Sequence, residues 1–245
     1  MKLLRVAAIA VIGIPGIALM SGDLAAMEQS RMQGADQHQS ARLEMVRTQL
    51  AARDIENTEV LDAMRRVPRH AFVGPSEVQH AYRDTPLPLS HGQTISQPYI
   101  VALMTQLVRP EPNDKALEVG TGSGYQAAVL AELIDHVYTI ELEPDLARSA
   151  TVLLEQLGYD NVTVRAGDGY GGWSDHAPFD IIIVTAAPDK VPQALLDQLA
   201  RGGRMIIPVG PIHSAQQLRL IEKSQDGQIQ TRDIAPVRFV PMRRE

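Results

Sequence analysis

The stretch Leu117-Glu-Val-Gly-Thr-Gly-Ser-Gly-Tyr125 decides the fold of this chain. Apolar residues at 116–119 predict a strand, and the pattern over 127–133 predicts a helix. Glycines at 120, 122 and 124 allow a sharp turn and leave N–H groups bare at the start of the helix, where a ligand can bind. The spacing is G-x-G-x-G and differs from the G-x-G-x-x-G of dinucleotide-binding proteins. We therefore expect a strand, a glycine turn and a helix that together bind a ligand.

The composition excludes several classes of protein. The 245 residues, enough for one large α/β domain, carry a formal net charge of −6 and a pI of about 5.7, whereas a nucleic-acid-binding protein needs a basic face. The sequence contains no cysteine, which excludes disulfides, thiol nucleophiles and cysteine-ligated metals. Its seven histidines are scattered, and none forms the i, i+4 pair of a helical zinc site. The sequence predicts neither a nucleic-acid partner nor a bound metal.

The amino-terminal residues differ in composition from the rest of the chain. Basic residues precede an apolar run over 6–20, which is shorter than the roughly 20 residues of a membrane span and resembles a secretory signal or anchor. The alternative is an extension from an upstream start codon, with the working protein beginning at a later methionine. Three regions are therefore expected: an apolar segment at 1–26, a polar, disordered linker at 27–39 and a folded domain at 40–243.

Apolar periodicity predicts an α/β order beyond residue 40. Helices are expected at about 41–53, 58–66, 99–108, 127–133, 146–157 and 191–199. Strands are expected at 116–119, 136–140, 161–165, 179–184, 204–209, 217–223 and 237–242. The last two strands should form a hairpin around a turn at 224–228. This order indicates a doubly wound, mostly parallel, seven-stranded Rossmann-like sheet with a small helical N-terminal layer.

Ligand-type side chains lie at the ends of successive predicted strands. Glu118, just before the glycine turn, suits a ligand that carries an ammonium. Glu141 ends the second strand, where it can accept both hydroxyls of a ribose, and Asp168 follows the third, where it can accept from an adenine amino group. Considered separately, each residue has a simpler interpretation: Glu141 as a solvated acid at a strand end, and Asp168 as a turn residue between two glycines. Together with Thr185 after the fourth strand, the ordered set describes S-adenosylmethionine.

The loop over 82–98 carries a cluster of small polar side chains close to a predicted helix. Prolines at 86, 88 and 98 prevent regular structure, and the hydroxyls of Thr94 and Ser96 precede the helix at 99–108. Ser96 can cap the free N–H groups of this helix, or it can face a substrate. Its position alone favours the cap.

The chain as a whole resembles a known family of enzymes. The stretch 117–125 and Glu141 are similar to those of class I S-adenosylmethionine-dependent methyltransferases. Four further stretches resemble the protein-L-isoaspartate O-methyltransferase family: Gly92-Gln-Thr-Ile-Ser-Gln-Pro98, Gly167-Asp-Gly169, Val184-Thr-Ala-Ala-Pro188 and Val237-Arg-Phe-Val-Pro241. The likeness spans about residues 40–243 and is specific, because the Gln-Thr-Ile-Ser-Gln-Pro stretch is peculiar to that family.

The resemblance implies the repair of damaged proteins, by methylation of the free carboxylate of L-isoaspartyl residues with S-adenosylmethionine as donor. It implies that Ser96 is the active-site residue, which reverses the preference for a simple cap. Thr94 would help to hold the acceptor carboxylate, and Val240 would lie on a strand that binds the substrate peptide through its backbone. The cofactor-binding set implied is Glu118, Gly120, Thr121, Gly122, Ser123, Glu141, Asp168 and Gly169. A carboxylate is an anion near pH 7, so attack on the sulfonium methyl needs no general base.

The partners implied are proteins and peptides that carry isoaspartyl residues, bound by a monomeric enzyme. S-adenosylmethionine is made in the cytosol, which favours a cytoplasmic enzyme, whereas a signal at 1–26 would favour export or anchoring. Three other classes are weighed against this interpretation. The first is a nucleic-acid or small-molecule methyltransferase; methylation of an adenine amine would need an Asn/Asp-Pro-Pro-aromatic motif where residues 185–188 read Thr-Ala-Ala-Pro. A nicotinamide oxidoreductase would need another glycine spacing, and a non-catalytic nucleotide-binding module would not need the loop with Thr94 and Ser96.

Overall fold

The computed structural model describes residues 38–211 and 215–244. The chain divides into two compact units, Met1–Ser40 and Ala41–Glu245. In the first unit, the described residues 38–40 are helical. The predicted apolar segment at 1–26 and most of the predicted linker lie outside the described residues. In the described part of the chain, no helix combines the length and the apolar character that crossing a membrane requires.

The described part of the second unit contains six helices besides its short 3-10 turns. They are α1 (residues 41–45, running into a π turn at Val46–Leu50), α2 (Thr58–Arg66), α3 (Pro98–Val108), α4 (Tyr125–Ala131), α5 (Pro144–Gln156) and α6 (Gln193–Gln198). Buried apolar side chains of α1 and α2 join those of α3 and α4 in one hydrophobic cluster. The predicted helical N-terminal layer is therefore present and packs on one side of the domain.

The strands form a small hairpin and one large sheet. They are β1 (Leu87–Pro88), β2 (Thr94–Ile95), β3 (Lys115–Val119), β4 (His136–Glu141), β5 (Val162–Ala166), β6 (Phe179–Val184), β7 (Leu199–Val209), β8 (Gln216–Lys223) and β9 (Ile229–Val237). Strands β1 and β2 pair with each other, and the large sheet has the order β5-β4-β3-β6-β7-β8-β9. Neighbours from β5 to β7 are parallel, while β8 is antiparallel to both β7 and β9. The predicted doubly wound, mostly parallel, seven-stranded sheet is confirmed.

Strand β3 lies in the interior of the sheet, next to the central strand β6, and is buried on both faces. Its residues and those of β6 contribute to two hydrophobic clusters, one on each side of the sheet. The strand order runs outward in both directions from the β3–β6 pair. In sheets of this kind, ligands bind beyond the carboxyl ends of the strands at such a switch point. The glycine turn after β3 and Thr185 after β6 lie at this place.

The prediction of the last strand was wrong. The seventh strand of the large sheet is β9, and residues 238–242 form no strand apart from a bridge between Ala187 and Pro241. The turn at 224–228 is where it was predicted, with the N–H of Ser224 donating to the carbonyl of Gln228 at 2.9 Å. Strand β9 is an edge strand of mostly exposed, polar residues, so it lacks the apolar alternation by which strands are recognised.

Candidate active site

The glycine turn after β3 has a backbone that other residues do not readily adopt. Gly120 has a φ of +100°, and a Cβ there would lie 2.3 Å from Oγ1 of Thr185. The Thr185 hydroxyl donates to the Gly120 carbonyl at 2.6 Å, and the N–H of Gly120 donates to the Ile140 carbonyl at 2.8 Å. The turn is thus held to β4 on one side and to the end of β6 on the other. This contact explains why a glycine is required at position 120.

Glu141, at the end of β4, stabilises the same turn through a hydrogen bond. Its Oε2 accepts from the N–H of Gly122 at 2.8 Å, and its Oε1 accepts from the N–H of Glu143 at 3.0 Å. The residue is only 5% exposed. Since an ionised carboxylate offers about four lone-pair sites, each oxygen can still accept a hydrogen bond from a ligand hydroxyl.

Asp168 lies after β5 and has two contacts. Its Oδ1 accepts from the N–H of Tyr170 at 2.8 Å, so it does act as a turn residue. Its Oδ2 lies 3.9 Å from the guanidinium of Arg244, which covers the Tyr170 ring at 4.1 Å. Oδ1 therefore shapes the turn. Oδ2 faces the Arg244 guanidinium and remains able to accept a hydrogen bond from a ligand.

Glu118 lies beneath the glycine turn rather than at the surface of a cavity. It is fully buried within β3 and does not line either cavity described below. Its Oε2 accepts from the Thr139 hydroxyl at 2.5 Å, and the Thr139 oxygen lies 2.6 Å from that of Thr121. Burial raises the pKa of Glu118 to about 8, against the smaller lowering effect of the Thr139 hydrogen bond. Glu118 thus supports the turn from below through two threonines, while its Oε1 has no hydrogen-bond partner among the described residues.

Two cavities meet at the carboxyl edge of the sheet. The inner cavity is lined by the glycine turn, Glu141, Gly169 and the segment 240–243, among others. The outer groove is larger and is lined by the stretch 94–100, the segment 235–240 and the side chain of Arg53. Thr94, Thr185 and Val240 line both. Besides Glu118, three of the predicted cofactor-binding residues do not line the inner cavity, although residues next to them in the sequence do: Thr121, Ser123 and Asp168.

Ser96 lines the outer groove and does not cap α3. The helix begins at Pro98, its capping position is Gln97, and no side chain of that residue caps it. The Ser96 hydroxyl has no hydrogen-bond partner among the described residues, and Asp84 accepts from the N–H of Tyr99 instead, at 2.9 Å. The cap expected from position alone is therefore wrong, because a distant loop supplies the acceptor.

Val240 lies on the wall between the two cavities. Its carbonyl accepts from the N–H of Ala187 at 2.8 Å, and the N–H of Met242 donates to the Ala187 carbonyl at 2.8 Å. The neighbouring Phe239 has both backbone groups bound to the side chain of Gln216. The N–H of Val240 has no partner among the described residues, so a bound peptide could accept from it.

The charges around the outer groove suit an anionic acceptor. Among the described residues that line it, Arg53 and Arg238 are cations and none is acidic. Arg53 forms an ion pair with Asp84 at 3.0 Å, so Arg238 is the lining cation that suits an anion best. In residues 38–211 and 215–244, no group of three or more His, Cys, Asp or Glu side chains is placed to hold a metal ion. The site thus combines a cavity lined by the acidic acceptor Glu141 and a groove that is open to a carboxylate.

Comparison with known proteins shows which enzymes share this arrangement. Residues 40–245 match the sequence model of the protein-L-isoaspartate(D-aspartate) O-methyltransferase family. The chain belongs to this family. The match to this methyltransferase family begins at the residue that the sequence likeness indicated and covers every element of the large sheet.

Relatives in the isoaspartate methyltransferase family are similar over most of their length. Protein-L-isoaspartate O-methyltransferase 2 of Polaromonas sp. is 58% identical over 183 residues, which are 75% of this chain and 87% of that protein. The Gloeobacter violaceus enzyme is 54% identical over 82% of this chain and 98% of its own. A solved structure from Plasmodium falciparum, described as a beta-aspartate methyltransferase in complex with S-adenosyl-L-homocysteine, has a TM-score of 0.71 and 26% identity. It covers 85% of this chain and 99% of its own.

Some groups at the site of this methyltransferase were missed by sequence reasoning. Asp84 and Arg53 come from a loop and a helix end far from the glycine turn, and no local pattern marks them. Arg243, which lines the inner cavity, pairs with Glu143 across 100 positions of sequence. Such groups are brought to the site only by the tertiary fold, so spacing along the chain could not identify them.

Proposed function

We propose that the protein repairs damaged proteins and peptides by methylating the free carboxylate of their L-isoaspartyl residues, with S-adenosylmethionine as the methyl donor. The family supports the reaction, and two adjoining cavities that share a wall support its geometry. The donor would occupy the inner cavity and the isoaspartyl residue the outer groove. The methyl would then pass between them at Thr94, Thr185 and Val240.

The inner cavity fits S-adenosylmethionine in the kind of groups it presents. The glycine turn lines this cavity without side chains at Gly120 and Gly122, so a ligand can approach its backbone closely, and Glu141 keeps free lone pairs for the ribose hydroxyls. Asp168 offers Oδ2 to the adenine amino group, and Gly169 lies against this part of the cavity. When bound, the cofactor supplies an electrophilic methyl on a sulfonium. We assign Thr121 and Ser123 to shaping the turn, with Glu118 supporting it indirectly.

We propose that catalysis at the outer groove rests on aligning the acceptor carboxylate with the methyl group of the donor. The isoaspartyl carboxylate is already ionised near pH 7, so no residue needs to remove a proton from it. We assign the unpartnered Ser96 hydroxyl, together with Thr94, to donating hydrogen bonds that direct one carboxylate oxygen toward the methyl. The free N–H of Val240 is assigned to the backbone of the substrate peptide. The transfer so described uses no metal, because acceptor and donor are both already activated.

The remaining proposals concern the setting of the reaction. We propose that the enzyme acts as a monomer in the cytoplasm, where its methyl donor is made. The acidic overall charge argues against nucleic acid as a substrate.

The deciding experiment uses two synthetic peptides that differ only in an L-isoaspartyl or an L-aspartyl residue at one position. Purified protein and methyl-labelled S-adenosylmethionine are added, and base-labile label is counted. We expect label on the isoaspartyl peptide alone. Label on neither peptide, with the cofactor still bound, would refute the proposed acceptor.

Replacing Ser96 tests the assigned role. We expect Ser96→Ala to lower kcat/KM for the isoaspartyl peptide by about 10- to 100-fold, since alignment of the acceptor is lost, and to leave the Kd for S-adenosylhomocysteine unchanged. Ser90→Ala is the matched control, because Ser90 is an exposed serine of the same loop that lines neither cavity. Equal loss of turnover and of cofactor binding in Ser96→Ala would contradict the role.

A further inference from the structure

The first turn of α3 is capped without its own serine. Pro98 has no N–H, so the first free donor of the helix belongs to Tyr99, and it is bound by Oδ1 of Asp84 at 2.9 Å. The next two N–H groups, of Ile100 and Val101, donate to the Gln97 carbonyl at 3.0 and 3.2 Å. The donors of this turn are therefore satisfied while the Ser96 hydroxyl remains without a partner among the described residues.

The second oxygen of Asp84 binds two more residues of the outer groove. Oδ2 accepts from Nη1 of Arg53 at 3.0 Å and from Nε2 of Gln97 at 3.4 Å. The guanidinium of Arg53 lies 3.3 Å from the centre of the Tyr99 ring. One carboxylate thus contacts three residues that line the groove, Arg53, Gln97 and Tyr99.

Asp84 is held in place by a buried arginine. Arg69 is fully buried, and its guanidinium donates to the carbonyls of Ala81 at 2.8 Å and Thr85 at 3.5 Å. These carbonyls flank Asp84 on both sides in the chain. The loop that presents the carboxylate is therefore anchored to the core rather than free to follow the helix.

We propose that Asp84 is a positioning residue for the methyl acceptor, an inference that rests on the proposed function. By capping α3, Asp84 leaves the Ser96 hydroxyl free for the isoaspartyl carboxylate. Without it, the N–H of Tyr99 lacks an acceptor, and Ser96, three residues earlier, is at the spacing from which serine caps a helix. Ser96 would then turn to the helix and be lost to the substrate. Asp84 also neutralises Arg53 beside the groove and keeps it over Tyr99.

The test is a double-mutant cycle of Asp84→Ala and Ser96→Ala, with Tm and methyl transfer to the isoaspartyl peptide as readouts. In the wild-type background, we expect Ser96→Ala to lower turnover but to leave Tm within about 1 °C, because Ser96 caps nothing. In the Asp84→Ala background, the same change should lower Tm by about 2–4 °C more, the effect of losing a helix cap. It should then lower turnover little further, because Ser96 has already been diverted.

Asp84→Asn is the conservative variant that separates positioning from folding. Asparagine keeps one oxygen for the N–H of Tyr99, so we expect folding and most of kcat to be retained, with the loss of the Arg53 ion pair confined to a change of a few-fold in KM. Asp62→Ala, at an exposed aspartate of α2, is the control and should leave both readouts unchanged. If Asp84→Ala does not fold, Asp84→Asn alone decides: a kcat as low as that of Ser96→Ala overturns the proposal.

Two other results would also overturn it. One is an equal fall of Tm on Ser96→Ala in both backgrounds, and the other is a loss of turnover that is strictly additive. A wild-type protein that methylates no isoaspartyl peptide would refute the proposed function instead. The Tm arm of the cycle would still report whether Asp84 keeps Ser96 from the helix, so the two failures are distinguishable.

Discussion

Replacing Glu118 by glutamine should change how the stability of the protein depends on pH. Glu118 is fully buried in β3, with one oxygen bound to Thr139 and the other, Oε1, without a hydrogen-bond partner among the described residues. Burial, with a smaller contribution from the charge of Glu141, raises its pKa to about 8. At neutral pH the side chain is therefore mostly protonated, and glutamine matches this form in shape and charge.

The size of the effect follows from the two pKa values. An unfolded chain loses the Glu118 proton near pH 4.5, whereas the folded protein keeps it to about pH 8. Between these values the folded state binds one more proton, so its stability is fully present below pH 4.5 and falls as the pH rises to 8. At about 1.4 kcal/mol per pH unit over this interval, the difference reaches at most about 5 kcal/mol. Glu118→Gln cannot ionise and should lack this loss.

The assay is urea unfolding of both proteins at pH 5, 6, 7 and 8, followed by circular dichroism. We expect the free energy of unfolding of Glu118→Gln to rise relative to wild type with each step in pH. Glu155→Gln, at an exposed position of α5, is the control, and its difference from wild type should not change with pH. A difference between Glu118→Gln and wild type that stays constant from pH 5 to 8 would refute the reasoning.

Further replacements test the turn that is proposed to hold the cofactor. Glu141→Ala should weaken S-adenosylhomocysteine binding by about 10- to 100-fold in calorimetry, because charged hydrogen bonds of about 1.5–3 kcal/mol are lost, and binding within threefold of wild type would contradict this. Gly120→Ala should abolish cofactor binding and lower Tm, since its Cβ would lie 2.3 Å from Oγ1 of Thr185. Gly122→Ala, with a φ of +53° and only Leu89 nearby at 3.7 Å, should cost about 1–2 kcal/mol; equal damage from both glycine variants would disprove the steric argument.

The parts of the fold that follow from local chemistry could be predicted from the sequence. The buried parallel strands are continuous apolar runs, and the glycine turn needs backbone angles that few residues adopt. Because parallel strands carry their next residues to one edge, the spacing of Gly120, Glu141 and Gly169 was enough to place them around one cavity. Their roles toward the cofactor stay predictions, which the binding experiments above test.

Features that depend on distant residues could not be predicted. Strand β9 lies at the sheet edge with its polar side chains in solvent. The alternating pattern of residues 237–242 predicted a strand, whereas in the structure these residues line the cavities. The burial of Glu118 could not be inferred either, since an acid before a glycine turn has the same sequence signal whether it faces a ligand or the core. The cap of α3 depends on Asp84, 14 positions before Pro98, and only the tertiary structure brings it there.

The wall shared by the two cavities has a thermodynamic consequence. Thr94, Thr185 and Val240 line both cavities. With the proposed donor in one cavity and the proposed peptide in the other, any adjustment that one ligand induces in these residues changes the free energy of binding the other. Such coupling is reciprocal: the factor by which the peptide tightens or loosens the donor equals the factor by which the donor affects the peptide. A replacement of one of these three residues is therefore expected to change the cooperativity between the binding of the donor and the binding of the peptide, and not only one of the two affinities.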